Sequence, residues 1–312
     1  MMRHVIKMAA TMAVIGMVGV MGTVRAQEET AYPAGLWAKP ISNPVYTDVA
    51  FQKREVNFIY VYHTLPSHLD TTVGNLALDG DLWAVAIQAE IPICEGLSFV
   101  ADKSGWIDFN PENGLVFDSN EGMVNLAGGL KWSFFQNDLV TAALRGTVEF
   151  PVGDTEVFQG NGRGSASPAL LLTHLAPCYA VNGVVGATIP FDSSELSTMG
   201  YASLATAYRV TEKMTCHVEL NWFRVLEAGR GESDLNDLGK ETLNIAEFEG
   251  GDLINMGASD SEKHPDFVSV ALGARYQITD TINLGVAYEV PVSTHDRGLM
   301  DERVTVDLGM TF

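Results

Sequence analysis

The 312-residue chain carries 39 acidic against 19 basic side chains, a formal net charge of −20, with 46% hydrophobic and 19% charged residues. That balance excludes a disordered chain, which lacks apolar surface to bury, and a nucleic-acid binder, which needs a basic face for phosphates. Three cysteines are too few for a disulfide scaffold and too scattered for a zinc cluster.

Residues 1–26 have the parts of a secretory signal peptide. Arg3 and Lys7 supply the charged start, Met8–Met21 the apolar stretch, and Val24-Arg25-Ala26 a small residue before the expected cut at Gln27. The stretch is shorter than the roughly 20 apolar residues of a membrane helix, and no later segment reaches that length. Residues 27–53 are expected to form a periplasmic N-terminal segment, and residues 54–312 the body of the protein.

The body alternates with period two. From Val304 to Phe312 every even position is apolar and every odd one polar or glycine. Side chains at i and i+2 share a strand face, so this strand has one apolar and one polar side. Val268 to Ile278, Ile282 to Val290, Val124 to Phe134 and Val140 to Phe150 repeat the pattern. About twelve such segments occur, near 55–63, 81–91, 97–108, 123–135, 139–150, 167–175, 179–190, 199–210, 214–226, 266–278, 281–291 and 302–312. Most run about 9–13 residues, the length of a tilted strand crossing a bilayer, whereas strands in soluble proteins centre on about 5–6.

The connections alternate between short ones, such as Gln136–Asp138 and Thr279–Asp280, and long ones, such as Pro151–Ala166 and Glu227–Pro265. An even strand number with tight turns at one end and long loops at the other predicts an all-β, transmembrane, antiparallel up-and-down β-barrel. Several segments running toward the long loops end at proline: Pro66, Pro111, Pro151, Pro190 and Pro291. Proline has no backbone donor and ends ladder pairing. Trp132, Phe134, Tyr208, Tyr276 and Phe312 gather near the short-turn end, and Trp83, Trp106, Phe150, Trp222 and Tyr288 nearer the other. These are the two aromatic girdles of such barrels.

A last strand that alternates and ends in Phe312 resembles the assembly signal of Gram-negative outer-membrane β-barrels. Ile41-Ser42-Asn43-Pro44-Val45-Tyr46, Phe158-Gln159-Gly160-Asn161-Gly162 with Ser167-Pro168, and Arg303-Val304-Thr305-Val306 resemble a largely uncharacterised group loosely akin to outer-membrane transporters linked to phenol degradation. The resemblance implies a cell outer-membrane location. The implied partners are membrane lipid, lipopolysaccharide, the barrel-assembly machinery and small solutes.

With the apolar faces toward lipid, parity directs Glu90, Lys131, Arg145, Glu149, His217, Glu219, Arg275, Glu289, Arg303 and Asp307 into the lumen. Strand order around a twelve-membered ring then sets Lys131 and Arg145 opposite Glu219, Glu289 and Asp307. That arrangement either orients solutes in an open lumen or pairs internally and plugs it. No catalytic role is expected, because His217 and Glu219 share a face without a nucleophile at a telling spacing. Gly160-Asn161-Gly162-Arg163-Gly164 lacks the Gly-Lys-Ser/Thr ending of a phosphate loop and reads as a flexible outer loop. The acidic residues of 227–265 lack calcium-loop spacing and read as solvated; no metal or cofactor is expected. No obligatory disulfide is expected among Cys94, Cys178 and Cys216. The functional expectation is an outer-membrane channel or transporter for small polar or amphipathic solutes. The alternative is a non-conducting structural or adhesive barrel presenting acidic outer loops.

Overall fold

The computed structural model describes residues 35–114, 116–231, 244–293 and 298–312. Twelve antiparallel strands follow one another around a closed barrel. They are β1 (Glu55–Thr64), β2 (Gly80–Cys94), β3 (Leu97–Lys103, resuming at Gly105–Pro111) and β4 (Asn120–Met123, resuming at Leu126–Gln136). Then come β5 (Val140–Phe150), β6 (Ser165–Leu175), β7 (Tyr179–Pro190) and β8 (Thr198–Arg209), followed by β9 (Met214–Glu227), β10 (Asp266–Gln277), β11 (Ile282–Pro291) and β12 (Glu302–Thr311). The ring closes because β1 pairs on one side with β2, from Glu55↔Glu90 to Thr64↔Asp81, and on the other with β12, from Glu55↔Thr311 to Thr64↔Glu302. Closure leaves no unpaired edge, the condition for a sheet to sit in hydrocarbon. No described helix is long and apolar enough to cross a membrane.

The alternation read from the sequence sorts side chains inside-out relative to a soluble protein. On β5, Leu144 is 48% exposed on the outer wall while its neighbour Arg145 is 4% exposed inside. Leu130, Leu170, Val185, Leu204, Leu220 and Val286 continue the outer apolar band. Trp132, Phe134, Phe135, Tyr276 and Phe312 form its exposed aromatic rim at the short-turn end. The fold, with this band and closed ladder, is that of an outer-membrane β-barrel.

One wall departs from regularity. β3 is interrupted at Ser104, whose hydroxyl donates to the Ile87 carbonyl at 2.6 Å. Gly105 follows at φ +156°, where a Cβ would lie 2.1 Å from the Val85 carbonyl oxygen, so glycine lets the strand resume.

Both ends of the lumen are filled. The described part of the N-terminal segment, residues 35–53, runs inside the barrel, with Trp37, Ala38, Ile41, Val49 and Ala50 buried. At the other end the long loops fold inward as a cap. Leu69, Phe117, Phe158, Phe248, Met256 and Leu299 pack on Ile59, Leu82, Ile107 and Phe109, which point inward from β1, β2 and β3. Phe158 meets Phe109 edge-on, with ring centroids 5.2 Å apart. The 160–164 segment, expected to be a flexible outer loop, is only partly exposed: Asn161 is buried, as is the preceding Gln159, while the Arg163 side chain is exposed. Of the acidic loop residues expected to be solvated, Glu249 and Asp252 are buried as well. Glu232, Asp234, Asp237 and Glu241 lie outside the described residues.

Leu144→Arg tests the assignment of the outer face. A basic side chain near the membrane midplane costs about 2–4 kcal/mol, so the urea midpoint of the barrel in lipid vesicles should fall accordingly. An unchanged midpoint would mean that this face does not meet lipid.

Candidate functional site

The inner wall and the N-terminal segment form one polar assembly. The segment enters beside β7 and β8, where the 3-10 turn Leu36–Ala38 packs Trp37 and Ala38 against Ala180 and Ala207. Arg209 covers the Trp37 ring at 4.5 Å. The chain rises to a turn at 43–47, where Asn43 Oδ1 accepts from the Tyr46 amide at 3.3 Å and the Asn43 carbonyl from the Thr47 amide at 3.0 Å. It then descends to leave beside β2 and β3, where Gln52 donates to the Cys94 and Leu97 carbonyls, both at 2.8 Å.

A buried chain without regular secondary structure must find partners for its backbone groups elsewhere. Here the wall supplies them. Glu219 on β9 accepts from the Ile41 amide at 2.7 Å, the Ser42 amide at 2.9 Å and the Ser42 hydroxyl at 2.7 Å. Asn182 donates to the Ala38 carbonyl at 2.7 Å, Gln88 to the Pro44 carbonyl at 2.8 Å, and Arg145 to the Tyr46 carbonyl at 3.1 Å. Thr173 Oγ1 accepts from the Ala50 amide at 2.8 Å, and the Ser133 hydroxyl donates to the Ala50 carbonyl at 2.6 Å.

Ion pairs complete the fit. Lys131 lies 2.5 Å from Glu90 and 2.8 Å from Asp48 of the inserted segment. Lys53 bridges Asp48 at 2.7 Å and Glu55 at 3.4 Å. Lys39 reaches Glu55 at 2.9 Å and Asp307 at 3.6 Å. Arg275 on β10 grips both oxygens of Asp307 on β12 at 2.9 Å. They meet across Gly285 of β11, where a Cβ would lie 2.1 Å from Asp307 Oδ1. Lys103 pairs with Glu149 at 2.8 Å, and Asn125 also donates to Glu149, at 2.6 Å. Arg303 forks onto Asp252 of the cap at 2.5 and 2.6 Å and lies 3.5 Å from Glu289.

Of the ten side chains directed inward by parity, nine are buried and Glu149 is half-buried. Lys131 and Arg145 are direct register partners on β4 and β5. They do not confront Glu219, Glu289 and Asp307 across an open lumen, because the inserted segment lies between the walls and each charge has closer partners. Lys131 is held by Glu90 and Asp48, and Glu219 by Ile41 and Ser42. His217 is 1% exposed on the inner face of β9. Periodicity did not reveal Asp48, Lys53, Asn161 and Asp252, which lie outside strands. Among the described residues no group of three or more His, Cys, Asp or Glu side chains could hold a metal ion. All three cysteines are free thiols.

Two polar cavities remain. One, of about 40 Å3, room for a few water molecules, lies between the turn at Tyr46 and the cap residues 158–161 and 251–255. The other, of about 20 Å3, lies between the inserted segment and the wall of β1, β2 and β3. Arg145, whose guanidinium holds the Tyr46 carbonyl, lines the second cavity, and Tyr46 lines the first.

Comparison with known proteins finds no matching family model and no matching curated protein. Solved structures do resemble the chain. An outer-membrane channel from Pseudomonas putida F1 is 12% identical with a TM-score of 0.56, covering 91% of this chain and all 100% of its own. The NanC porin is 9% identical with a TM-score of 0.50, over 82% of this chain and 98% of its own. The translocator domain of the autotransporter NalP from Neisseria meningitidis is 10% identical with a TM-score of 0.50, over 83% and 89%. These likenesses are of fold, and the proteins that share it differ in task.

The Asp252–Arg303 fork makes the cap testable. Burial pushes the Asp252 carboxyl up, but the Arg303 guanidinium outweighs it and holds the carboxyl below its ordinary value. A depressed carboxylate contributes in full above its unfolded value and loses that contribution as pH falls through its folded one. Protection of residues 245–258 from hydrogen exchange should therefore persist from neutral pH to about pH 4 and drop below it. Asp252→Asn leaves Arg303 buried without its fork, a change worth about 3–5 kcal/mol, and should remove the protection at neutral pH. Equal exchange in variant and parent would show that the fork does not hold the cap.

Proposed function

We propose that the protein is an outer-membrane channel for small polar or amphipathic solutes, and that its lumen is closed at rest by the segment at 35–53 at one end and by the loop cap at the other. The observation that carries this reading is the nature of the filling. The segment is held chiefly by side-chain hydrogen bonds and ion pairs to the wall, and water can replace such contacts as the segment withdraws. An apolar core offers no such exchange. The cavities above and beside the segment mark where a solute would wait once it moves. Lipid and lipopolysaccharide are the partners of the outer wall in this reading. The exposed Phe312, with the Arg54 guanidinium 6.0 Å from its ring, would be the end recognised by the assembly machinery.

The rival is a barrel that presents its cap to the exterior and conducts nothing. The same permanent filling would serve it, and the test separates the two. Glu219→Ala with Ser42→Ala removes four hydrogen bonds: three to Glu219, two of them from backbone amides, and the one from Asn221 to the Ser42 hydroxyl. Bonds to a charged group contribute about 1.5–3 kcal/mol each, so the open fraction should rise at least tenfold, to order of magnitude. Planar-bilayer recordings should show rare steps in the parent and frequent ones in the variant. A folded variant that stays silent even when Asp252→Asn also releases the cap would favour the structural barrel.

A further inference from the structure

Glu219 differs from its neighbours on the inner wall in where its partners come from. Glu90 has Lys131 at 2.5 Å, Asp307 has Arg275 at 2.9 Å, and Glu149 has Lys103 at 2.8 Å, all within the wall. Glu289 accepts from Asn221 at 3.0 Å and lies 3.5 Å from Arg303. Glu55 draws on Lys39 and on Lys53, which stands two positions before it in the chain. Among the described residues the partners of Glu219 are the Ile41 and Ser42 amides and the Ser42 hydroxyl, all in the inserted segment, and no cation. Withdrawal of the segment therefore strips this carboxylate, while Lys131, Arg275 and Lys103 keep carboxylates of their own. A charge without a partner in a narrow lumen is costly, and a solute that supplies donors relieves it.

The segment itself displays the chemistry that fits. Two amides and a hydroxyl converge on Glu219, and a primary ammonium group likewise carries several N–H donors on one atom. The Ile41 side chain is fully buried alongside, its Cδ1 3.3 Å from where a Cβ on Gly273 would stand. Ala271, opposite Glu219 in register, and Ala287, opposite Gly273, keep this stretch of β10 and β11 small and apolar. The Thr305 hydroxyl, which reaches the Ser42 carbonyl at 3.4 Å, would be released to accept a further donor.

We infer that Glu219 is the specificity-determining residue of the channel, and that it selects small primary alkylammonium ions. The ammonium group takes the place of the Ile41 and Ser42 donors, and a short alkyl chain lies over Gly273 in place of the Ile41 side chain. An anion would meet the bare carboxylate and wall cations that are already paired. A neutral solute would give the carboxylate weaker bonds than an ion does. The inference rests on the channel reading for passage; binding needs only that the segment yields.

Hydrogen exchange at the Ile41 and Ser42 amides, measured on the full-length folded protein in lipid nanodiscs, reads the binding. A ligand that takes Glu219 favours the withdrawn segment and so speeds exchange. At equal concentration and ionic strength, butylammonium should speed it by about threefold to tenfold. Butyrate, and tetramethylammonium, a cation without N–H donors, should leave it unchanged. Glu219→Gln, checked for the parent's shift in gel migration on boiling, should lose the response to butylammonium. In planar bilayers, Ser42→Ala with Asp252→Asn loosens segment and cap and keeps Glu219. Reversal potentials there should give butylammonium a permeability about tenfold above butyrate, and adding Glu219→Gln should abolish the preference. No acceleration by butylammonium, equal acceleration by either comparator, or an undiminished response in folded Glu219→Gln would overturn the inference. The three probes decide the matter on the parent protein even where the variant fails to fold. Acceleration by butylammonium in a protein that never conducts would leave the Glu219 site standing and remove the channel reading. Conduction with equal permeability to butylammonium and butyrate would keep the channel and remove the selectivity.

Discussion

Glu219 sets the constraint from which the rest of the lumen follows. A carboxylate on the inner wall of a barrel must be hydrated, paired or hydrogen-bonded, and here its partners are two backbone amides and a hydroxyl of the inserted segment. The dependence runs both ways. Residues 39–53 include Pro40 and Pro44 and form no strand, so their polar groups need the wall as much as the wall's charges need them. Arg145, Asn182, Gln88 and Thr173 repeat the exchange around the circumference. Without the segment, Lys131 would lose Asp48 and keep only Glu90. The account thus predicts a barrel whose wall charges are arranged for an occupant, and a segment with no stable path of its own outside.

The cap answers a different physical demand. Near the long-loop end the inner face changes from polar to apolar, through Ile59, Leu82, Ile107 and Phe109. Apolar side chains facing a water-filled mouth gain by being covered, and the loops carry Phe117, Phe158, Phe248 and Met256 to cover them. The closed barrel therefore has two fillings of opposite character. One, at the short-turn end, is polar; the other is apolar and pinned by the Asp252–Arg303 fork. The cavity lies where they meet, which is why its wall is aromatic on one side and amide-rich and charged on the other.

The strands were legible because lipid on one side and polar contents on the other force period two over their full length. The segments read at 214–226 and 281–291 correspond to β9 at Met214–Glu227 and β11 at Ile282–Pro291. Parity also placed Lys131, Arg275 and Asp307 inside, since a charge in hydrocarbon is expensive. What was hidden has physical causes. The inserted segment has no periodicity, and its bond from Ile41 to Glu219 spans 178 positions, so nothing local announces it. The rule that apolar means outward fails at Ile59 and Phe109 because the cap creates a second apolar environment inside. Asn161 looked like part of a glycine-rich surface loop, since burial by a neighbouring loop leaves no mark on its own sequence.

A segment at 35–53 that closes the lumen must move for conduction. The most direct measurement locks it in place. Ser42 Oγ and Asn221 Nδ2 meet at 3.0 Å, so Ser42→Cys with Asn221→Cys, in a chain with Cys94, Cys178 and Cys216 replaced by serine, can be joined by a short cleavable thiol-reactive linker. The linker should abolish conductance steps in a planar bilayer, and its cleavage should restore them. Full conductance in the linked protein would contradict closure by the segment.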